Sequence, residues 1–120
     1  DNLFTAVEAL EMLGFARVRR GKIFLTNEGF QFAEADILNR KKIFSTQLLT
    51  YIELARHIRS ELDHNNDHEI DKSILIQKLD EHFSEEISNE IFRVIVDWGR
   101  YAEIFAYNDR TEQLSLEDPK

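Results

Sequence analysis

The chain has 120 residues, enough for one domain with its own core or for two very small ones packed together. Its 42% hydrophobic and 32% charged residues are typical of a folded globular protein, and without cysteine it can form neither disulfides nor thiolate zinc sites. The net charge of −8 is uneven, because residues 1–60 carry +2 (nine basic, seven acidic) and residues 61–120 carry −10 (six basic, sixteen acidic). The second half therefore repels phosphate backbones.

The first 36 residues predict a helix, a hairpin and a second helix. Apolar residues recur at helical spacing over 3–13, and Gly14 can end that helix. Residues 16–19 and 22–25 flank a turn at Arg20-Gly21, and Thr26 can cap a helix that runs to about Asp36. This order is typical of the back half of a winged-helix unit. We therefore expect residues 1–36 to form a partial first unit, truncated at its start.

Residues 37–62 contain no glycine or proline, and their apolar residues repeat at intervals of three and four. This pattern predicts one long connecting helix.

Residues 63–120 predict a second winged-helix-like unit. A polar loop over 63–69 precedes Asp71, which can cap one helix, and Ser84 can cap another that reaches about Glu103. Alternating segments at 104–107 and 113–116 then predict a hairpin. The expected fold is mostly α with small β-hairpins (α+β), with winged-helix-like units joined by the long helix in one compact domain overall.

The charge of the second unit argues against DNA binding. The helix that would enter DNA, 84–103, carries five acidic residues and only Arg93 and Arg100. Because lysine and arginine contacts to phosphates supply most nucleic-acid affinity, we expect no nucleic acid as partner. A DNA-binding winged-helix regulator remains an alternative that would require a basic surface.

Two groups of residues are candidate interaction sites. Arg100, Tyr101 and Tyr107 have the composition typical of a protein-interface anchor, whereas Trp98 and Phe105 are expected in the core between helix and wing. The other group is basic and lies on the first hairpin, with three more cations opening the long helix: Arg17, Arg19, Arg20 and Lys22, then Arg40, Lys41 and Lys42. This patch is either a solvated rim or a docking patch for an acidic partner.

No residues indicate catalysis, a cofactor or a metal. His64 and His68 are four apart beside acidic residues, but they lie in a predicted loop without a third ligand at a diagnostic spacing. The phosphate-binding loop, the dinucleotide-binding glycines, the nucleophile elbow and the zinc-protease motif are all missing from the sequence. We expect no enzymatic activity, no cofactor and no metal.

Several short motifs together resemble one family. They are L-T-N-E-G (25–29), F-A-E-A-D (32–36), R-K-K-I-F (40–44), H-I-R (57–59), D-W-G-R-Y-A-E-I-F-A-Y (97–107) and L-S-L-E (114–117). The family is the AAA-associated C-terminal domain, which follows the ATP-binding subunit of bacterial nitrate/sulfonate/taurine-type ABC transporters. The resemblance covers essentially the whole chain and implies a regulatory module without ATP hydrolysis of its own. It transfers no catalytic residues.

The resemblance also sets expectations for partners and location. It implies an ATP-binding cassette in the same polypeptide or complex, and a cytoplasmic domain peripheral to the inner membrane through the transporter. Because the family has a helical segment before the equivalent of Leu3, and the chain begins at Asp1 without Met, we expect a piece of a longer polypeptide. Leu3, Phe4 and Val7 would then be uncovered and favour a homodimer. A small-molecule sensor, with a polar pocket between the two units, and a purely structural dimerisation element remain alternatives.

Overall fold

A computed structural model of the chain describes residues 3–116. The chain divides into two compact units, Asp1–Glu53 (unit 1) and Leu54–Lys120 (unit 2), and the division falls inside the predicted connecting helix. The described part is 61% helical and contains six helices and two small antiparallel sheets. The predicted mostly helical α+β class is thus confirmed. No helix in this part of the chain is long and apolar enough to cross a membrane.

Unit 1 follows the predicted order of helix, hairpin and helix. Its elements are α1 (Ala6–Met12), β1 (Ala16–Arg19), β2 (Lys22–Leu25), α2 (Asn27–Glu34) and α3 (Ile37–Tyr51). Each helix begins at a side chain that accepts a hydrogen bond from the backbone of its first turn: Thr5 from Glu8, Thr26 from Gly29 and Asp36 from Asn39. These caps satisfy amides that the helix leaves without partners, so short polar residues fix where each helix starts.

Three phenylalanines from three different segments form the centre of unit 1. The Phe15 ring lies 4.7 Å from that of Phe32 and 6.2 Å from that of Phe44, measured between ring centroids. Beside them the Gln47 side chain is buried and donates to the Leu13 carbonyl at 2.8 Å. This bond satisfies a buried amide and a helix-end carbonyl together, and so ties α3 to the end of α1.

The predicted long helix over 37–62 is wrong in one respect, because it is two helices. α3 ends at Tyr51, Ile52 is extended (φ −107°, ψ 102°), and α4 (Glu53–His64) begins at the next residue. No glycine or proline marks this break. The two helices serve different cores, since Phe44 of α3 packs in unit 1 while Ile58 of α4 is fully buried in unit 2.

Unit 2 contains the predicted pair of capped helices and the hairpin, together with one strand that the sequence did not predict. After α4 come β3 (Glu69–Asp71), α5 (Lys72–Asp80), α6 (Glu85–Ala102), β4 (Ala106–Asn108) and β5 (Gln113–Ser115). The sheet order is β3-β5-β4, with Ile70 opposite Leu114 and Tyr107 opposite Leu114 on its other side. Leu114 therefore lies at the centre of the sheet and is fully buried.

The end of α6 is joined to the core by close packing. Glu103 caps the helix in the left-handed conformation (φ 60°), and the chain then turns so that Phe105 is fully buried. Gly99 faces this ring so closely that an added methyl would lie 2.5 Å from both of its Cε carbons. From α4, Arg59 donates to the Ile104 carbonyl at 2.7 Å. The hairpin β4–β5 is thus held against both helices.

Candidate functional site

An open groove of about 380 Å³ lies between α6 and the hairpin β4–β5. Two rows of α6 side chains face it at helical spacing, Phe92, Val96 and Arg100 in one and Asn89, Arg93 and Asp97 in the other. Lys72 of α5 and Tyr107 of β4 complete its walls. We call this feature the α6–wing groove.

Arg100 and Tyr107, two of the predicted interaction residues, meet in this groove. The Arg100 guanidinium donates a hydrogen bond to the Tyr107 carbonyl, and its central carbon lies 5.5 Å from the centroid of the Tyr107 ring. The ring in turn meets Phe92 edge to face, 5.3 Å between centroids. Tyr107 is therefore half-buried and is not the fully outward-facing side chain that the sequence pattern indicated. Arg100 is engaged in holding the strand in place.

Lys72 closes the other end of the groove. Its ammonium lies 5.2 Å from the Phe92 ring centroid and 3.9 Å from a carboxylate oxygen of Glu112. Its backbone N–H also donates to the Glu112 carbonyl at 2.9 Å. The aromatic pair Phe92–Tyr107 thus has a cation at each ring, an arrangement that favours a fixed geometry for both cations.

The charges that line the groove balance. Three cations (Lys72, Arg93, Arg100) stand with three carboxylates (Asp97, Asp109, Glu112). Burial of Tyr107 raises the pKa of its phenol, and the carboxylates of Glu112 and Asp109 raise it further. A ligand of a single charge sign would therefore meet both attraction and repulsion here, whereas a surface that carries both signs would match.

Two of these charged groups are uncommitted. Within residues 3–116, neither the Arg93 guanidinium nor the Asp97 carboxylate makes a hydrogen bond or ion pair, although they lie one turn apart on the exposed side of α6. Tyr101, by contrast, is 38% exposed and does not line the groove. The structure therefore brings together Arg100 and Tyr107 but leaves Tyr101 apart from them. Of the two residues predicted to be core, Phe105 is fully buried and Trp98 half-buried.

The predicted basic patch lies on unit 1, with all four members exposed. Arg17 and Arg19 are on β1, Arg20 is in the turn, and Lys22 on β2 pairs in register with Arg19. Arg40 has a different role, because its guanidinium donates to the Phe32 and Ala33 carbonyls at 3.1 and 3.0 Å. It thereby satisfies the last carbonyls of α2.

The histidines of the predicted loop bind backbone. Nδ1 of His64 lies 2.7 Å from the Ser60 carbonyl oxygen, and Nδ1 of His68 lies 2.8 Å from that of Leu62. In the part of the chain described, no group of three histidine, cysteine or carboxylate side chains is placed to hold a metal ion.

Sequence reasoning missed Lys72, Phe92 and Arg93 as members of the site. A signal existed for the last two, since residues 92, 96 and 100 and residues 89, 93 and 97 form adjacent stripes on any helix through that segment. No local signal exists for Lys72, which reaches the groove because β3 pairs with β5.

A small mostly helical domain with a charge-balanced groove and no catalytic constellation in its described part has the features of an interaction module. Its sequence matches the family model of the C-terminal AAA-associated domain over residues 1–108. The chain belongs to this family, which indicates an accessory domain associated with AAA/ABC-type ATPases. No curated protein and no solved structure gave a significant match.

Proposed function

We propose that the chain is a non-catalytic regulatory domain of an ABC transporter ATP-binding subunit of the nitrate/sulfonate/taurine uptake type, and that it acts through protein–protein contacts. The α6–wing groove carries the proposal, because it offers a rigid aromatic pair beside uncommitted charges of both signs. In this proposal the domain lies in the cytoplasm and reaches the inner membrane only through the transporter complex. The arrangement of unit 2 is that of a winged helix used for protein contacts.

The division of labour in the groove supports a protein partner. Arg100 is held by the Tyr107 carbonyl and fixes the wall, whereas Arg93 and Asp97 remain available for contacts. Aromatic side chains with arginine are the commonest strong anchors of protein interfaces. A partner with one carboxylate and one cation at matching spacing would pair with Arg93 and Asp97 together, which gives orientation as well as attraction.

The groove fits the two alternative functions less well. For DNA, the first turn of α6 presents Glu85 and Glu86, and Glu90 follows one turn later, where a base-reading helix would need to approach phosphates. For a small molecule, binding pockets are mostly apolar and enclose their ligand, whereas this groove is open and bears six charged side chains.

The decisive experiment measures ATP hydrolysis by the ATP-binding protein that contains this domain. Arg93→Glu reverses one uncommitted charge in the groove, and the matched control Arg110→Glu makes the same change at an exposed wing residue outside the groove lining. We expect Arg93→Glu to change the regulated part of the ATPase rate by about fivefold, the lower end of typical coupling between sites, and Arg110→Glu to leave it unchanged. Both proteins should keep the wild-type melting temperature.

The same experiment can reject the proposal in two ways. If the purified protein hydrolyses no ATP, the transporter context is wrong. If Arg93→Glu, Asp97→Lys and Tyr107→Ala all hydrolyse ATP as the wild type does, under conditions where the rate responds to transporter or substrate, the groove is not the contact surface.

A further inference from the structure

Unit 1 exposes an apolar surface on its hairpin. Ile23, Phe24 and Leu25 of β2 are 54%, 51% and 43% exposed, and Val18 of β1 is 38% exposed. Ile23 pairs in register with Val18, so both side chains lie on one face of the hairpin. By contrast, Leu3, Phe4 and Val7, which the sequence indicated as the uncovered apolar surface, are half-buried. The exposed apolar area of unit 1 is therefore centred on the hairpin.

Four cations surround this apolar surface, and their charges are uncommitted. Arg17, Arg19, Arg20 and Lys22 are all exposed, and within residues 3–116 none of them makes an ion pair or a side-chain hydrogen bond. We call these four cations with Val18, Ile23, Phe24 and Leu25 the basic hairpin. A partner for it must present carboxylates around an apolar centre.

Unit 2 presents a surface of that chemistry where α5 ends and α6 begins. Asp80, Glu81, Glu85 and Glu86 lie within seven residues, are exposed, and pair with no cation elsewhere in the described chain. Phe83 between them is 46% exposed. Ile74, also 46% exposed, lies seven residues before Glu81 and so on the same face of α5. We call these six residues the acidic corner.

We infer that a second copy of this chain is the partner of the basic hairpin, which binds the acidic corner of that copy. Four uncommitted cations then face four uncommitted carboxylates, and the exposed apolar side chains of the hairpin meet Phe83 and Ile74. Both surfaces belong to one polypeptide, so they are present in equal amounts wherever the chain is. The contact joins unlike patches of two copies, which is a heterologous interface. This inference is independent of the function proposed above.

Sedimentation velocity of the 120-residue chain at micromolar concentrations tests the inference. We expect self-association at roughly 0.1 M salt that weakens at about 1 M, because the screening length falls from about 10 Å to 3 Å over that range. Arg19→Glu in the hairpin and Glu81→Lys in the corner should each raise the dissociation constant about tenfold or more, because like charges then face each other. Lys42→Glu, an exposed cation of α3 outside the hairpin, is the control for the same change of charge.

Mixing the two variants gives the sharpest result. Arg19→Glu retains a wild-type corner, and Glu81→Lys retains a wild-type hairpin, so an equimolar mixture should associate although neither variant does so alone. Thermal melting of each variant first establishes that it is folded. A wild-type chain that stays monomeric at low salt overturns the inference, as does association that neither variant weakens. A mixture that stays monomeric also overturns it, even if the wild-type chain binds an unrelated acidic peptide.

Discussion

Replacing Gly99 by alanine tests the contact between α6 and the segment that leads into the hairpin. In an ordinary helix interior this change stabilises by about 1 kcal/mol. Here the new methyl would lie 2.5 Å from both Cε carbons of Phe105, whose ring is fully buried and cannot move toward solvent. Overpacking of a core costs about 1–3 kcal/mol, and a clash with an immobile ring belongs at the upper end. We therefore expect a net loss of about 1–2 kcal/mol, opposite in sign to the helix propensity.

Urea denaturation followed by circular dichroism measures this loss as a lower midpoint at an unchanged slope. The double variant Gly99→Ala/Phe105→Leu provides the internal check, because the smaller leucine leaves space for the methyl. The double variant should be more stable than the sum of the two single effects by about 0.5–3 kcal/mol, the usual range for residues in contact. If Gly99→Ala is as stable as the wild type or more so, the close approach of ring and helix is incorrect.

Three further outcomes follow from single side chains, each measured by denaturation. Ser88→Ala should stabilise by about 1 kcal/mol, because the Ser88 hydroxyl is buried in the described structure without a hydrogen-bond partner. Tyr107→Ala should cost about 1–3 kcal/mol through loss of its half-buried ring contact, more than Tyr101→Ala at a more exposed site. Hydrogen bonds from the side chain and backbone of Ser73 lower the pKa of Asp71 below 3.8, so wild-type stability should fall as pH drops from about 4 through that lowered pKa. Asp71→Asn should lack this acid-dependent loss, and an equal loss in both proteins would contradict the assignment.

The starts of helices were predictable because each depends on a few neighbouring residues. Thr26, Asp71 and Ser84 were identified as caps from the sequence, and in the structure each accepts a backbone hydrogen bond from the first turn of its helix. The turn at Arg20-Gly21 was predictable for the same reason, since both residues adopt positive φ and glycine does so at little cost.

Features that depend on distant residues were not predictable. The strand at Glu69–Asp71 exists because it pairs with residues 113–115, more than forty positions away. The end of α3 at Ile52 has no local signal, and its cause is that the flanking helices contribute to different cores. Gly99 looked like an ordinary helix residue, yet its missing side chain leaves room for Phe105.

The candidate site was predictable in part. Arginine and tyrosine at positions 100 and 107 indicated an anchor, and the structure places them in contact. Their separate roles were hidden, because the hydrogen bond from the Arg100 guanidinium goes to a backbone carbonyl, which no side-chain pattern reveals. The availability of Arg93 likewise depends on which carboxylates lie within reach after folding.

The hairpin of unit 1 also affects how the chain behaves at high concentration. Among the described strands, β1 and β2 pair only with each other, so each has an outer edge whose backbone groups can accept a further strand. The run Ile23–Phe24–Leu25 beside such an edge has the composition of segments that stack into fibrils. Arg17, Arg19 and Lys22 place repelling charges next to it, which is how natural sequences keep such strands from stacking. Neutral residues at these three positions would leave the native fold with the same contacts, yet should send the expressed chain into inclusion bodies.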